Sequence, residues 1–260
     1  LANDEGIIHG PGAVWHQLEG EIYRAQVGEP IGFFYGFATN GVFQNGEQIA
    51  EFSEKYQDKL HGGNDKLRPG DLIYVDANGD GFIDDNDRTN IGDPHPDVTM
   101  GANINLAYKG FDFSITGNGA FGQQILRTWA NQDFLQENLN KKIVYGSWKG
   151  EGTSNKLPIF DTFDAVNWKY MSQAMLESGN YFKIQNVTLG YDFKNIWKSC
   201  PLSQLRLYVA VNNLYTFTNY SGMDPEVGMN GGTADTWAAG IDTGVYPSPR
   251  TYLIGVNIKF

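Results

Sequence analysis

What most constrains this chain is a set of runs in which apolar side chains recur at every second residue, joined by connections that alternate between short and long. From 98 to 108 the apolar set is Val98, Met100, Ala102, Ile104, Leu106 and Tyr108, with Thr99, Gly101, Asn103, Asn105 and Ala107 between them. Past Lys109-Gly110 the pattern resumes, with Phe111, Phe113, Ile115 and Phe121 set against Asp112, Ser114, Thr116 and Asn118. Leu205, Leu207, Val209 and Val211 oppose Arg206, Tyr208, Ala210 and Asn212. Tyr252, Ile254, Val256, Ile258 and Phe260 oppose Thr251, Gly255, Asn257 and Lys259. Ile31, Phe33, Tyr35 and Phe37 alternate with Gly32, Phe34 and Gly36, and a further run covers 16–25. A period of two is the mark of a β-strand with unlike faces. In 180–193, Phe182 and Ile184 change parity relative to Val187, Leu189 and Tyr191, which predicts a bulge.

The connections carry the second half of the argument. Taking strands at 16–25, 31–38, 98–108, 111–121, 180–193, 203–217 and 250–260, the links are 5, 59, 2, 58, 9 and 32 residues long. In an up-and-down meander this ordering puts every short turn at one end and every long loop at the other. Transmembrane barrels sort their loops in this way, and strands of about 9–11 residues cross a bilayer with tilt. A soluble sandwich with a polar outer face shows the same alternation but has no reason to sort its loops. The expected fold is therefore all-β: an antiparallel transmembrane β-barrel portion, about seven strands of a larger barrel, with long structured external loops at about 39–97, 122–179 and 218–249. Helices are expected inside these loops at 47–60 and near 123–141.

Composition narrows the class. No run of 18 apolar residues exists, so no transmembrane helix is expected. The net charge of −11 argues against a nucleic-acid partner. Cys200 is the single cysteine, so no internal disulfide framework is expected, and beside Pro201 it reads as an inert turn residue. The sequence starts at Leu1 without a signal peptide, as in a processed chain or a piece of a longer one.

One loop has a ligand-like spacing. Asp76, Asn78, Asp80, Asp84 and Asp87 fall at positions 1, 3, 5, 9 and 12 of a twelve-residue stretch, with Gly81 at position 6. This is the oxygen pattern of a calcium loop, where position 6 turns sharply and position 7, here Phe82, offers its backbone carbonyl. Ile83 would pin the loop to the body, and the apolar run Leu72-Ile73-Tyr74-Val75 precedes it in place of a helix. Position 12 is Asp where Glu is usual, one methylene shorter for bidentate reach. The expected cofactor is Ca²⁺, held by Asp76, Asn78, Asp80, Phe82, Asp84 and Asp87. The competing reading is an Asx-rich turn that binds nothing. Residues 39–97 hold 13 acidic and 5 basic side chains, a net of −8, so most of the chain's charge lies in this one segment.

No enzyme is expected. His9, His16, His61 and His95 lack metal-ligand spacing, and no nucleophile-base arrangement has local support. Trp129, Trp148, Trp168 and Trp237 in the loops are candidate substrate contacts, against the alternative that they fill small loop cores. Arg206, Tyr208, Asn212, Asn257 and Lys259 would line a polar barrel wall.

Several motifs coincide with a known family. They begin with Gly28-Glu29-Pro30-Ile31-Gly32-Phe33-Phe34-Tyr35-Gly36 and Asn40-Gly41-Val42-Phe43, where the family has Asp in place of Asn40. Pro69-Gly70-Asp71-Leu72-Ile73-Tyr74-Val75-Asp76 leads into the acidic loop and on to Ile91-Gly92-Asp93-Pro94. Tyr181-Phe182-Lys183-Ile184-Gln185-Asn186-Val187, Asn212-Asn213-Leu214, Ser221-Gly222-Met223-Asp224-Pro225 and Tyr246-Pro247-Ser248-Pro249-Arg250 follow, with Phe260 last. From about residue 26 onward the chain resembles the C-terminal barrel portion of SusC/RagA-type TonB-dependent outer-membrane transporters of Bacteroidetes. The resemblance implies a barrel of about 22 strands with a plugged lumen. It implies import of glycans or peptides across the bacterial outer membrane, and partners in a SusD-like lipoprotein lid and the TonB system. It also implies a remaining N-terminal barrel and plug domain, which this chain does not contain. The alternatives are a soluble, secreted calcium-dependent carbohydrate-binding β-domain and, more remotely, a fragment of a glycan-degrading enzyme.

Overall fold

A computed structural model describes residues 6–10, 20–127, 141–160, 166–227, 239–244 and 246–260. The chain divides into two compact units. One gathers 1–95, 124–177 and 227–244; the other gathers 96–123, 178–226 and 245–260.

The second unit is a five-stranded antiparallel sheet of Val98–Tyr108, Phe111–Phe121, Tyr181–Asp192, Gln204–Thr218 and Thr251–Lys259. The strands neighbour one another in chain order, so the sheet is a plain meander. Lys109 and Gly110 close the first hairpin with φ of 46° and 88°. Two successive left-handed residues give the turn whose twist matches paired strands, and the non-glycine Lys109 bears the strain.

Register converts the alternation into two opposed faces. On one face Ile104, Ile115, Val187, Val211 and Tyr252 form a row, and Leu106, Phe113, Leu189, Val209 and Ile254 form the next. Most of these side chains are open to the surroundings, among them Ile104, Leu106, Val209 and Ile254. The opposite face carries Asn103, Thr116, Asn186, Asn212 and Thr251 in one row. There Asn103 Nδ2 donates to Thr116 Oγ1 at 2.7 Å and Asn186 Nδ2 to Asn212 Oδ1 at 2.7 Å.

The parity change near 184 is a bulge. Thr116 and Gly117 are adjacent on their strand, yet they pair with Asn186 and Ile184, leaving Gln185 over. On the next strand Asn213 and Leu214 lie opposite Gln185, and Asn213 adopts φ 53°.

The first unit has small sheets around two apolar clusters. One cluster holds Ile22, Tyr23, Phe34, Ile91, Leu126, Trp168, Met171 and Met175; the other holds Phe37, Val42, Leu60, Leu72, Tyr74 and Ile83. A four-stranded sheet pairs Ile7–His9, Tyr23–Gln26, Phe33–Phe37 and Arg88–Gly92. Here two of the seven expected membrane strands are corrected. The described parts of the runs at 16–25 and 31–38 are short strands of this sheet, and they do not extend the meander. Phe33 and Phe34 have opposite parity, yet both are buried along with Phe37, so this strand is covered on both faces.

The helix expected at 47–60 runs Gly46–Lys55, capped by the Asn45 side chain, which accepts from the Gln48 N–H. It stops because Gln57 and Asp58 pair as a strand with Phe82 and Ile83. The helix expected near 123–141 is corrected only at its described start. Gln124–Arg127 is a strand, since Leu126 and Arg127 pair with Ile241 and Asp242, and a helix occupies Lys141–Gly146. Residues 128–140 lie outside the described set.

Candidate functional site

The twelve-residue acidic loop is organised around its first and last carboxylates. Asp76 Oδ1 accepts from the Gly79 and Asp80 N–H groups at 2.7 and 3.2 Å, and Asp76 Oδ2 accepts from Gly81 N–H at 2.9 Å. Gly79 and Gly81 take φ of 78° and 84°, the left-handed conformation that Gly81 was expected to need. Asn78 Oδ1 accepts from Asp80 N–H at 2.9 Å, and Asp80 Oδ1 accepts from Phe82 N–H at 2.8 Å. Asp87 is 0% exposed. Its Oδ1 accepts from Ala77 N–H at 2.9 Å and its Oδ2 from Asp84 N–H at 2.9 Å, so it ties the two ends of the loop together. Ile83 is fully buried among Phe37, Leu72 and Tyr74 and anchors the loop to the body.

Asp84 Oδ1 accepts from the Asn86 N–H at 3.0 Å. Lys59 Nζ donates to its Oδ2 at 2.8 Å, and that bond holds the Asp84 carboxyl below the usual carboxylate range. Among the described residues, no group of three or more His, Cys, Asp or Glu side chains is arranged to hold a metal ion. The loop oxygens are engaged chiefly with backbone N–H groups, and Asp76 and Asp87 each accept from three of them.

The tryptophans fall out unequally. Trp168 is 2% exposed and belongs to the apolar core of its unit, so it has no surface to offer a substrate. Trp148 is half-buried, with its indole N–H donating to Gln44 Oε1 at 3.2 Å and its ring close over Gly70. Trp129 and Trp237 lie outside the described residues.

The sheet supplies a second kind of site. Its polar face carries an Asp112–Arg206 ion pair that reaches across the intervening strand at Gly190. A Cβ on Gly190 would collide with both partners. Tyr208 covers Gly255 in the same manner, and Lys183 pairs with Glu226. On the apolar face, aromatic residues gather toward both ends. Tyr108, Phe111, Tyr191 and Phe193 lie near the short turns, while Phe182, Tyr215 and Phe217 lie beyond the bulge. The rows between are mainly aliphatic, with Phe113 and Tyr252 among them. A sheet with this section is the wall of a transmembrane β-barrel: an aliphatic band, aromatic margins and a polar reverse side.

Comparison with known proteins agrees. No family model matches the chain. The TonB-dependent receptor P3 of Formosa agariphila is 34% identical over 250 residues, which is 94% of this chain and 24% of that protein. The TonB-dependent receptor SusC of Bacteroides thetaiotaomicron is 30% identical over 201 residues, 74% of this chain and 18% of that protein. The chain thus spans about a quarter or less of the length of these relatives. Among solved structures, the RagAB peptide importer in its closed-closed state superposes with a TM-score of 0.63 at 17% identity, over 100% of this chain and 25% of that one. Its open-open state gives 0.62 over 92% and 23%. The chain is homologous to TonB-dependent receptors, and within them to the SusC type.

Proposed function

We propose that this chain forms part of the barrel wall of a TonB-dependent, SusC-like importer that carries glycans or peptides across the bacterial outer membrane. The observation that carries the reading is the exposed apolar face, which runs unbroken over five strands with a hydrogen-bonded polar face behind it. In water so large an apolar area would drive association; against lipid it is the required surface. A soluble carbohydrate-binding domain would bury that face, so the alternative is not favoured. The chain contributes no covalent chemistry. Its partners in this reading are the lipid bilayer, the remaining N-terminal barrel and plug, the TonB system and a SusD-like lipoprotein lid.

The test uses nitroxide labels at Ile104 and Asn103 in the full-length protein in lipid. Oxygen should reach the label at 104 far better than the label at 103. Two equally dry positions would sink the barrel reading.

We also propose that the acidic loop takes one Ca²⁺ through Asp76, Asn78, Asp80, Asp84, Asp87 and the Phe82 carbonyl. Binding would draw Asp84 away from Lys59, and the ion would stiffen a loop already folded by its own Asx bonds. Titration calorimetry on chelator-stripped protein should show calcium binding that Asp80→Ala removes. No calcium heat in the unaltered protein would refute the proposal.

A further inference from the structure

At its short turns the five-stranded sheet carries apolar surface that the strands themselves do not supply. Tyr191 packs against Phe111 with ring centroids 4.4 Å apart and against Phe193 at 5.2 Å. Phe193 opens the connection 193–203, and the first turn of that connection is helical. The Ile196 and Trp197 N–H groups both donate to the Phe193 carbonyl, at 3.0 and 2.8 Å. Residues three and four apart on a helical turn share a side, so Ile196 and Trp197 continue the side on which Phe193 meets Tyr191. Ile196 is 71% exposed and Trp197 53%.

The connection is ordered by its own bonds, so this exposure is fixed in place. Asp192 Oδ1 accepts from the Lys194 N–H at 3.0 Å, Lys194 Nζ donates to the Leu202 carbonyl at 2.7 Å, and the Cys200 N–H donates to the Trp197 carbonyl at 3.1 Å. Cys200 is buried, while the larger Ile196 and Trp197 are left outside. The layer where tryptophan settles by preference is the membrane–water interface. Charge points to the same layer. The two short connections, 109–110 and 193–203, hold Lys109, Lys194 and Lys198 and no acidic residue, in a chain of net charge −11. Lys109 Nζ lies 5.1 Å from the centroid of the Tyr108 ring, which is exposed on the apolar face. Lys198 is exposed beside Trp197. A lysine stem lies along apolar surface while its ammonium reaches outward to a polar layer.

We infer that the short-turn rim is a phospholipid headgroup site: Ile196 and Trp197 enter the interfacial layer, and Lys109 and Lys198 bind the phosphates of anionic phospholipids. The site rests on the barrel reading for the presence of a bilayer, and it adds a headgroup preference and the residues that set it. The aromatic side chains fix the depth of the rim, and the two ammoniums select the charge of the lipid beside it.

The experiment has two arms, both on the full-length protein. In bilayers, single nitroxides are placed at Ile196, at Ile104 and at the exposed Glu54 of the loop helix. The label at 196 should be reached by an aqueous nickel chelate several times less than the label at 54, and by oxygen less than the label at 104, as at headgroup depth. In detergent with added lipid, native mass spectrometry should show phosphatidylglycerol retained more tightly than phosphatidylcholine. Lys109→Gln and Lys198→Gln, both at exposed positions, should each weaken phosphatidylglycerol retention roughly fivefold and leave phosphatidylcholine unchanged. A label at 196 as open to the chelate as the label at 54 overturns the site, and so does one shielded from both reagents, as under a protein partner. A preference for phosphatidylglycerol that is absent, or that survives both substitutions, overturns it as well. The label at 104 keeps the two readings apart: lipid at 104 with water at 196 sinks this site alone, whereas no lipid at 104 sinks the barrel.

Discussion

At the scale of single residues, the buried pair His61–Asp58 is the most exacting arrangement in the first unit. Both side chains are nearly inaccessible, with His61 Nδ1 2.9 Å from Asp58 Oδ2 and the His61 N–H donating to Asp58 Oδ1 at 2.7 Å. The His61 ring lies 5.2 Å from Tyr74, and Asp71, bound by Asn167 Nδ2 at 2.8 Å, adds a further negative charge. Burial alone would lower the imidazole pKa; the bond and charge of Asp58, then the charge of Asp71, outweigh it and raise it above the usual 6.5. A group whose pKa is higher folded than unfolded stabilises the fold fully below its unfolded value. That stabilisation is lost as pH rises through the folded value. Chemical denaturation of the full-length protein should therefore show the first unit weakening as pH climbs from about 6.5, the ordinary histidine value. His61→Gln should flatten that dependence. Asp58→Ala, which strands a buried imidazolium, should cost about 3 kcal/mol at pH 6. A slope of the opposite sign would show that His61 is neutral in the folded protein.

At the scale of elements, Gly190 shows how the sheet accommodates charge. The ion pair between Asp112 and Arg206 skips a strand, and it can do so because the residue beneath it has no side chain. Gly190→Ala should break the bridge and cost about 1–3 kcal/mol through overpacking. Urea unfolding of the single and double variants with Asp112→Ala would check it: the glycine substitution should cost much less once Asp112 is gone. Equal costs in both backgrounds would remove the glycine from the argument.

Elements were also what the sequence disclosed best. The five later strands, their order, the Lys109-Gly110 turn and the bulge near 184 all follow from side-chain parity, because a half-exposed strand writes its two faces into alternate residues. Phe33–Phe37 does not, since a strand buried on both faces and flanked by glycines can mimic that alternation. The strand at Gln124–Arg127 was hidden for another reason: its partner, Ile241–Asp242, lies more than a hundred residues away, and no local pattern announces a pairing at that distance. The acidic loop was legible through its spacing, and so was the anchoring role of Ile83. A recess lined by Glu21, Arg24, Tyr35, Asp85, Arg88 and Tyr170 was not, because it joins residues from four separate stretches whose only local signals are a charge beside a turn and a tyrosine in a strand.

At the scale of the whole molecule, the five-stranded sheet ends in two edges, Val98–Tyr108 and Thr251–Lys259, that have no further strand beside them among the described residues. In lipid each edge would leave a row of N–H and C=O groups unsatisfied, which a bilayer does not tolerate. Residues 1–260 expressed alone should therefore fail to give a heat-modifiable, protease-resistant barrel, whereas the full-length protein should give one. Deleting Phe260, which is fully open at the end of the last strand, should lower outer-membrane insertion more than synthesis. A stable barrel from the isolated chain, or unchanged insertion without Phe260, would contradict this.

The bulge has a consequence on the same scale. Between the same two rows, the second strand of the sheet takes two steps, from Ile115 to Gly117; the third takes three, from Val187 to Ile184; the fourth takes four, from Val211 to Tyr215. From the second strand to the fourth, each is one residue longer than the one before it at the same height, so the insertions climb across that part of the sheet like a staircase. In a closed barrel the accumulated stagger and the strand tilt together fix the radius. Gln185 and the Asn213-Leu214 pair are in that sense gauge marks: removing one residue from them would alter the circumference to which the ring can close, and with it the width of whatever the ring must hold.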